Sequence, residues 1–176
     1  MGKKFIVTAF GKDRPGIVAD VSQVLYENGC NLEDTRMTNL SGEFSLLILF
    51  SGPAETNLEA KLASRYKRLE SEKGISAYIR PVGTVIEKTV TSKSTRRLKI
   101  EGLDHTGIVY RISRFLADNN INIANLESTI TYAPESGAPV YTMEIQIELD
   151  ENASLDAIEP GLERLADELH VEIAVE

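Results

Sequence analysis

The sequence predicts an α+β protein made of one structural unit used twice. Residues 11–38 and 102–129 of the 176-residue chain superpose without a gap, and ten of the 28 aligned residues are identical. Around both copies, short runs of β-forming residues alternate with longer segments of helical apolar period. A repeat of this length fixes the architecture, because the same unit must fold in both halves.

The first unit has the order strand, helix, strand, strand, helix, strand. β-forming runs predict strands at residues 5–10, 32–40, 43–50 and 75–82. The first helix is predicted between Asp13 and Asn28-Gly29, with Asp13 as its N-cap and Pro15 in its first turn. Apolar residues at helical spacing are predicted to form the buried faces of its two helices: Ile17, Val18, Val21, Val24 and Leu25, then Leu58, Leu62, Tyr66 and Leu69.

The second unit repeats this order. Strands are predicted at residues 97–101, 123–132, 140–149 and 170–175. The left-handed helix end that Gly29 provides in the first unit is expected at Asn120 in the second. Pro160 falls inside the last apolar stripe, so we expect a kink or a restart there. Apolar residues again mark the two helices: Ile108, Val109, Ile112, Phe115 and Leu116, then Leu155, Ile158, Leu162, Leu165 and Leu169.

Two βαββαβ units predict two ferredoxin-like domains, each an antiparallel four-stranded sheet with two helices on one face. We expect the first domain at residues 1–83 and the second at 96–176. Residues 84–95 are rich in Thr, Ser and Lys and form the predicted linker, although Val85 and Ile86 suggest an extension of the preceding strand.

Composition narrows the classes of function. A formal net charge of −8 disfavours direct nucleic-acid binding, and the basic residues Lys61, Arg65, Lys67 and Arg68 are expected to form a solvated helix face. The single Cys30 and two histidines show no metal-ligand spacing, so neither a metal nor a cofactor is expected. Without a membrane-length apolar run or a signal sequence, we expect a cytoplasmic protein.

The loop before the first helix of each unit is the candidate site. Gly16 and Gly107 allow a ligand to approach the free N–H groups of a helix N-terminus, or serve only helix–strand packing. Asp13 and Asp104 either bind an ammonium group or cap the helix. Asn31 and Asn122 offer an amide donor and acceptor, or stabilise a turn.

Two runs carry a resemblance to a known family. DRPGIVADVSQVLYENGCNLED and DHTGIVYRISRFLADNNINIAN resemble the ACT domain, an amino-acid-sensing module of metabolic regulation. A bare tandem of such domains resembles the glycine cleavage system transcriptional repressor family. The resemblance implies amino-acid binding at an interface between domains, with contacts from Asp13, Arg14, Pro15, Gly16, Ile17, Asn31, Asp104, His105, Gly107, Ile108 and Asn122. In some amino-acid-binding members, Asn replaces Asp13 and Asp104, and His replaces Gly11 and Gly102.

The resemblance implies a small, non-enzymatic regulator that responds to glycine or a similar amino acid. It would regulate transcription of glycine or one-carbon metabolism through a protein partner such as a DNA-binding regulator, as a homodimer. The alternative is a ligand-free assembly module. An enzyme is disfavoured because no nucleophile or acid–base pair emerges, and His105 is expected as a solvated loop side chain. If one loop binds, we expect the first, which keeps Pro15 and Gly29.

Overall fold

The computed structural model describes residues 3–54, 57–83, 94–134, 136–149 and 157–176. Within these residues the chain has the βαββαβ order twice, as predicted. The first domain contains β1 (Lys3–Lys12), α1 (Ile17–Tyr26), β2 (Asn31–Leu40), β3 (Glu43–Gly52), α2 (Leu58–Lys73) and β4 (Ser76–Pro81). The second contains β5 (Ser94–Leu103), α3 (Ile108–Asp118), β6 (Asn122–Tyr132), β7 (Pro139–Leu149), α4 (Glu159–Leu169) and β8 (Val171–Val175).

Each domain forms one antiparallel four-stranded sheet. The strand orders are β2-β3-β1-β4 and β6-β7-β5-β8, so β2 and β6 are edge strands. The two sheets have the same register, including a β-bulge early in the edge strand, between Leu32 and Asp34 and between Ile123 and Asn125. The predicted α+β, ferredoxin-like class is therefore confirmed in both halves.

Alternate residues of the strands explain where the cores lie. Phe5, Val7 and Ala9 of β1 are buried against the helices, and the residues between them face the other side of the sheet. The rings of Phe5 and Phe50 stack with centroids 5.5 Å apart. The second domain has its own separate core, so each half buries one face of its sheet.

A buried tyrosine joins the two helices of the first domain. The Tyr66 hydroxyl, on α2, donates a hydrogen bond to the Val21 carbonyl oxygen of α1 at 3.3 Å. Burial is the main cause that raises the pKa of Tyr66 above its ordinary value, with a smaller contribution from Cys30. Cys30 itself is half-buried and packs against this core as a small apolar residue.

The chain divides into compact units at residues 1–86 and 87–176. Strand β5 begins at Ser94, so the last two residues of the predicted linker belong to the second sheet. The predicted strand extension through Val85 and Ile86 lies outside the described residues. Among the described helices, none is long and apolar enough to cross a membrane.

The structure corrects one prediction about the helices and agrees with others. Val18 and Val109 lie on the exposed side of α1 and α3 rather than in the cores. Of the kink or restart expected at Pro160, the structure has a helix start: Pro160 occupies the first turn of α4, where its missing N–H has no carbonyl partner. Leu155, which was expected in the same helix, lies outside the described residues. The predicted left-handed helix end at Asn120 is confirmed by its φ of 57°.

Candidate functional site

The two candidate loops connect β1 to α1 and β5 to α3. The helix N-caps are Gly16 and Gly107, with φ values of 86° and 101° and no side-chain capping hydrogen bond. The expected capping role of Asp13 and Asp104 is therefore wrong. A Cβ on Gly107 would meet no atom within 4 Å, so helix–strand packing does not explain this glycine. Glycine is required because side-chain-bearing residues rarely adopt positive φ.

Both loops present exposed backbone at a helix N-terminus. The i to i−4 hydrogen bonds begin with Asp20 N to Gly16 O and Arg111 N to Gly107 O, both at 2.9 Å. The N–H groups of the first helical turn lie before this ladder, where the helix dipole favours an anion, and in α1 the Ile17 N–H already donates to the Arg14 carbonyl oxygen at 3.3 Å. Ile17 and Ile108 are only 3% and 2% exposed, so only their backbone is available to a ligand.

The two aspartates have different environments. Asp13 Oδ2 accepts a hydrogen bond of 2.6 Å from Asn39 Nδ2 on β2. Ile130 occupies the position of Asn39 in the second sheet, because Asn39 pairs with Phe44 and Ile130 pairs with Tyr141. Within the described residues, the carboxylate of Asp104 has no hydrogen bond or ion pair. The carboxylate of Asp104 is therefore more available to a ligand than that of Asp13.

Arg14 belongs to an ion-pair cluster beneath the first loop. Its Nη2 lies 2.6 Å from Asp20 Oδ2, and Lys73 Nζ at the end of α2 lies 2.5 Å from Asp20 Oδ1. Hydrogen bonds from Lys73 and then Arg14 lower the pKa of Asp20 below its ordinary value. The cluster joins the loop to both helices, so it fixes the loop while directing the Arg14 charge toward Asp20.

The second domain replaces this cluster with different contacts. Arg111, at the position of Asp20, forms an ion pair with Glu168 near the end of α4, which reverses the two charges. His105 Nε2 lies 2.7 Å from the Leu169 carbonyl oxygen, and Nδ1 lies 3.1 Å from the Thr106 carbonyl oxygen. His105 is exposed, as expected for a solvated loop side chain, and its ring is also hydrogen-bonded to the end of α4.

Asn31 and Asn122 lie at the other end of their sheets. Asn31 opens β2 and pairs with Ser51, which pairs with Lys4 near the start of β1, whereas Asp13 follows the end of β1. The ten residues of β2 span roughly 30 Å at about 3.3 Å per residue. Asn122 likewise opens β6, and its amide donates to Glu148 Oε2 at 3.0 Å. Neither domain by itself brings its loop and its asparagine together.

Two glycines pack too closely for a larger residue. A Cβ on Gly11 would lie 2.9 Å from the Gly74 carbonyl oxygen, and one on Gly102 would lie 2.8 Å from Val171 Cγ1. A histidine at either position would require the adjoining helix end or strand to move. The residues between the second helix and the final strand of each domain thus leave no room for a side chain at Gly11 or Gly102.

Other candidate chemistries have little structural support. No group of three or more His, Cys, Asp or Glu residues suited to a metal ion occurs in the described ranges. On α2, Arg65 pairs with Glu27 at 2.9 Å and Arg68 pairs with Glu72 at 2.7 Å. These arginines already have carboxylate partners, as expected for a solvated helix face.

Comparison with known proteins identifies the family. A family model described as the ACT domain matches residues 3–77. The UPF0237 protein of Methanopyrus kandleri is 34% identical over 74 residues, which cover 42% of this chain and 82% of that protein. The chain belongs to the ACT-domain family. Its second unit has the same element order and sheet topology, so the protein is a tandem of two ACT domains.

Two further relatives match both ACT domains. The glycine cleavage system transcriptional repressor of Escherichia coli strain K12 is 28% identical over 177 residues, which cover 95% of this chain and 86% of that protein. The crystal structure of an unknown protein from Galdieria sulphuraria superposes with a TM-score of 0.81 and 29% identity. That superposition covers 100% of this chain and 98% of the other.

Proposed function

We propose that this tandem ACT-domain protein is a non-enzymatic regulator that responds to a small amino acid, glycine or a close analogue. The observation that carries the proposal is its similarity to the Escherichia coli repressor across both domains. By analogy, it regulates transcription of glycine or one-carbon metabolism. A net charge of −8 and the paired arginines of α2 favour action through a DNA-binding protein partner rather than direct DNA contact.

The amino acid binds at the loop before α1 or α3. Its carboxylate accepts hydrogen bonds from the N–H groups that precede the helical ladder, where the helix dipole favours negative charge. Its ammonium group meets the carboxylate of Asp13 or Asp104. A small ligand suits these sites because Gly16 and Gly107 carry no side chain and lie on exposed loops.

The site is completed by a second ACT domain. All ten residues of β2 are exposed, and β2 and β6 each leave one strand edge unpaired within their own sheet. When two such edges pair antiparallel, the residue that opens one strand lies beside the residue that ends the other. Asn31 or Asn122 of one domain then lies beside the loop of another, which no single domain achieves.

Exposed apolar residues beside these edges support the pairing. Met37 on β2 and Val18 on α1 are exposed in the first domain. In the second domain Val109, at the place of Val18, is exposed, and so is Ile130 on β6, which takes the place of Asn39. The partner domain belongs to a second copy in a homodimer. A ligand bound across the edge shifts this assembly only as far as its affinity differs between the paired and unpaired states.

The hydrogen bond between Asn39 and Asp13 favours a second candidate function. A carboxylate that already has a partner is less available for an ammonium group, so the first domain would serve as an assembly module without a ligand. The two candidate functions differ in one measurable property, because only the amino-acid-responsive regulator requires selective amino-acid binding.

Thermal unfolding with each of the twenty amino acids tests the proposal. A ligand at about 100 times its dissociation constant stabilises the native state by about 2.7 kcal/mol, and the expected result is a selective rise in Tm. Asp13→Ala and Asp104→Ala are then compared with Glu163→Ala, an exposed carboxylate on α4 distant in sequence from both loops.

The variants determine the site. Loss of the rise in Asp104→Ala but not in Asp13→Ala assigns binding to the second loop, and the reverse result assigns it to the first. A rise that survives in the variant carrying both substitutions overturns the site. No rise with any amino acid at millimolar concentration favours the assembly module.

A further inference from the structure

The helix-free face of the first sheet carries exposed apolar side chains. On this outer face, Leu47 is 42% exposed, Phe10 is 45% exposed and Tyr78 is 67% exposed. The Phe10 and Tyr78 rings stack with centroids 6.1 Å apart, and Ile6 and Leu49 lie beside them. A contiguous apolar patch on a sheet is a candidate interaction surface.

The second domain provides an internal comparison. Matching registers place Arg97 at the position of Ile6, Glu101 at that of Phe10 and Glu144 at that of Leu47. Arg97 and Glu144 lie 3.9 Å apart across the strands of that second outer face. The same fold is therefore compatible with a charged outer face, so the apolar residues of the first sheet are not needed for folding.

Three rows of side chains, set by the strand register, cross all four strands of the outer face. From β2 to β4 these rows are Asp34, Leu49, Ile6 and Arg80; then Arg36, Leu47, Thr8 and Tyr78; then Thr38, Ser45, Phe10 and Ser76. Phe10 and Tyr78 lie on the β1–β4 half. The small residues Thr38 and Ser45 lie at the level of Phe10 on the β2–β3 half, and Arg36 and Leu47 lie at the level of Tyr78. Charges occur on both edge strands.

We propose that this outer face binds the same face of a second copy of the chain, about a twofold axis parallel to the strands. Such an axis places β2 over β4 and β3 over β1 of the other copy. Asp34 then faces Arg80, Leu49 faces Ile6, and the small Ser45 faces the bulky Phe10. The face is self-complementary in charge and in shape, as an isologous interface requires.

The size of the face is sufficient for a dimer. Four strands spaced about 4.8 Å apart and up to ten residues long give a flat face of roughly 550 Å². Two such flat faces bury roughly 1,100 Å², and the side chains that protrude from them add to this area. The total buried area reaches the lower range of specific protein interfaces. The proposal concerns a different surface from the β2 and β6 edges and does not depend on amino-acid binding.

Sedimentation velocity of the full chain over a wide range of concentration tests the proposal. The wild type is expected to form an assembly with an even number of 19.4 kDa chains. Leu47→Glu introduces the residue type found at the equivalent position of the second domain and is expected to halve that mass. Gln146→Glu adds the same charge to the second outer face and is the matched control, with no change expected. Circular dichroism verifies that each variant is folded.

A charge exchange tests the arrangement of the two copies. Asp34→Arg places two positive charges opposite each other and is expected to weaken association about tenfold or more. Combining it with Arg80→Asp restores the pairing and the wild-type mass. A wild type that stays a single copy, or a Leu47→Glu variant of unchanged mass, overturns the proposal. A double variant that stays dissociated overturns the twofold arrangement.

Discussion

Asp20 connects the first candidate loop to the two helices of its domain. Replacing Asp20 with asparagine tests how much this connection contributes to stability. The substitution keeps the shape of the side chain but removes the charge that binds Arg14 at 2.6 Å and Lys73 at 2.5 Å. We expect the free energy of unfolding of the first domain to fall, because two ion pairs lose their common acceptor. The loop and the end of α2 should become more mobile.

The geometry sets the size of the effect. The side chain of Asp20 is 14% exposed, whereas those of Arg14 and Lys73 are 41% and 40% exposed. Pairs with exposed partners contribute at most about 1 kcal/mol each, so we expect a total loss of about 1 kcal/mol. With an m-value of about 1 kcal/mol per molar urea, the midpoint of the first domain shifts by roughly 1 M. Arg111→Gln breaks the single, more exposed pair with Glu168 and should shift the second domain less.

The pKa of Asp20 gives the effect a pH dependence. Lys73 and Arg14 lower this pKa in the folded state below the ordinary value of 3.8. The contribution is therefore fully present above the unfolded-state pKa and is lost as pH falls through the folded pKa. The difference between wild type and Asp20→Asn should be constant near neutrality and vanish in strong acid.

Urea unfolding at several pH values, followed by fluorescence of labels placed separately in each domain, measures these differences. A midpoint of the first domain unchanged by Asp20→Asn at neutral pH would refute the tethering role. A difference of the same size at neutral pH and in strong acid would refute its electrostatic origin.

Two other substitutions test the helices of the first domain. Gly16→Ala forces a side chain into a φ of 86° and should lower the free energy of unfolding by about 1–2 kcal/mol. Gly83→Ala, at a position without positive φ or close neighbours, should lower it far less, and thermal unfolding of the two variants measures the difference. Tyr66→Phe loses the hydrogen bond to Val21 and should cost about 0.5–1.5 kcal/mol. Because the pKa of Tyr66 is raised in the fold, its contribution is present below the ordinary value of 10.0 and is lost as pH rises through the folded pKa. Unfolding of the wild type should therefore show a steeper loss of stability in alkali than unfolding of Tyr66→Phe, and equal slopes would contradict this.

The element order could be predicted because each element carries its own period. The stripe of Leu58, Leu62, Tyr66 and Leu69 predicted α2, and all four residues are buried. Six of the eight strands were predicted too short, and β4 and β8 slightly too long, since strand ends are determined by pairing with neighbours rather than by local composition. Ser94, for example, pairs with Leu149, a contact 55 residues away that no local pattern reveals.

The contacts of the candidate loops could not be predicted for the same reason. Asp13 has the residue type of an N-cap, but its partner is Asn39 across the β2–β3 hairpin. The acceptor of His105 is the Leu169 carbonyl oxygen at the end of a distant helix. The opposite placement of Asn31 and Asp13 follows from β1 and β2 running parallel two strands apart, which the element order already implied.

The charge asymmetry of the two outer faces was available from sequence. Ile6, Thr8 and Phe10 alternate with the buried residues of β1, and Arg97, Lys99 and Glu101 alternate with those of β5. Comparison of the repeats at alternate strand positions would have found it. The residues that are identical in the two repeats lie mainly in the loops and helices and do not reveal this difference.

Nuclear magnetic resonance titration of the full chain with glycine tests the central claim most directly. Amide resonances respond locally, so they report contact at the helix N-terminus and at the start of the edge strand separately. We predict shifts at Gly16 or Gly107 together with Asn31 or Asn122, because binding joins a loop to the far end of another domain. Shifts at neither loop, with glycine and with each other amino acid at millimolar concentration, would contradict an amino-acid-responsive role.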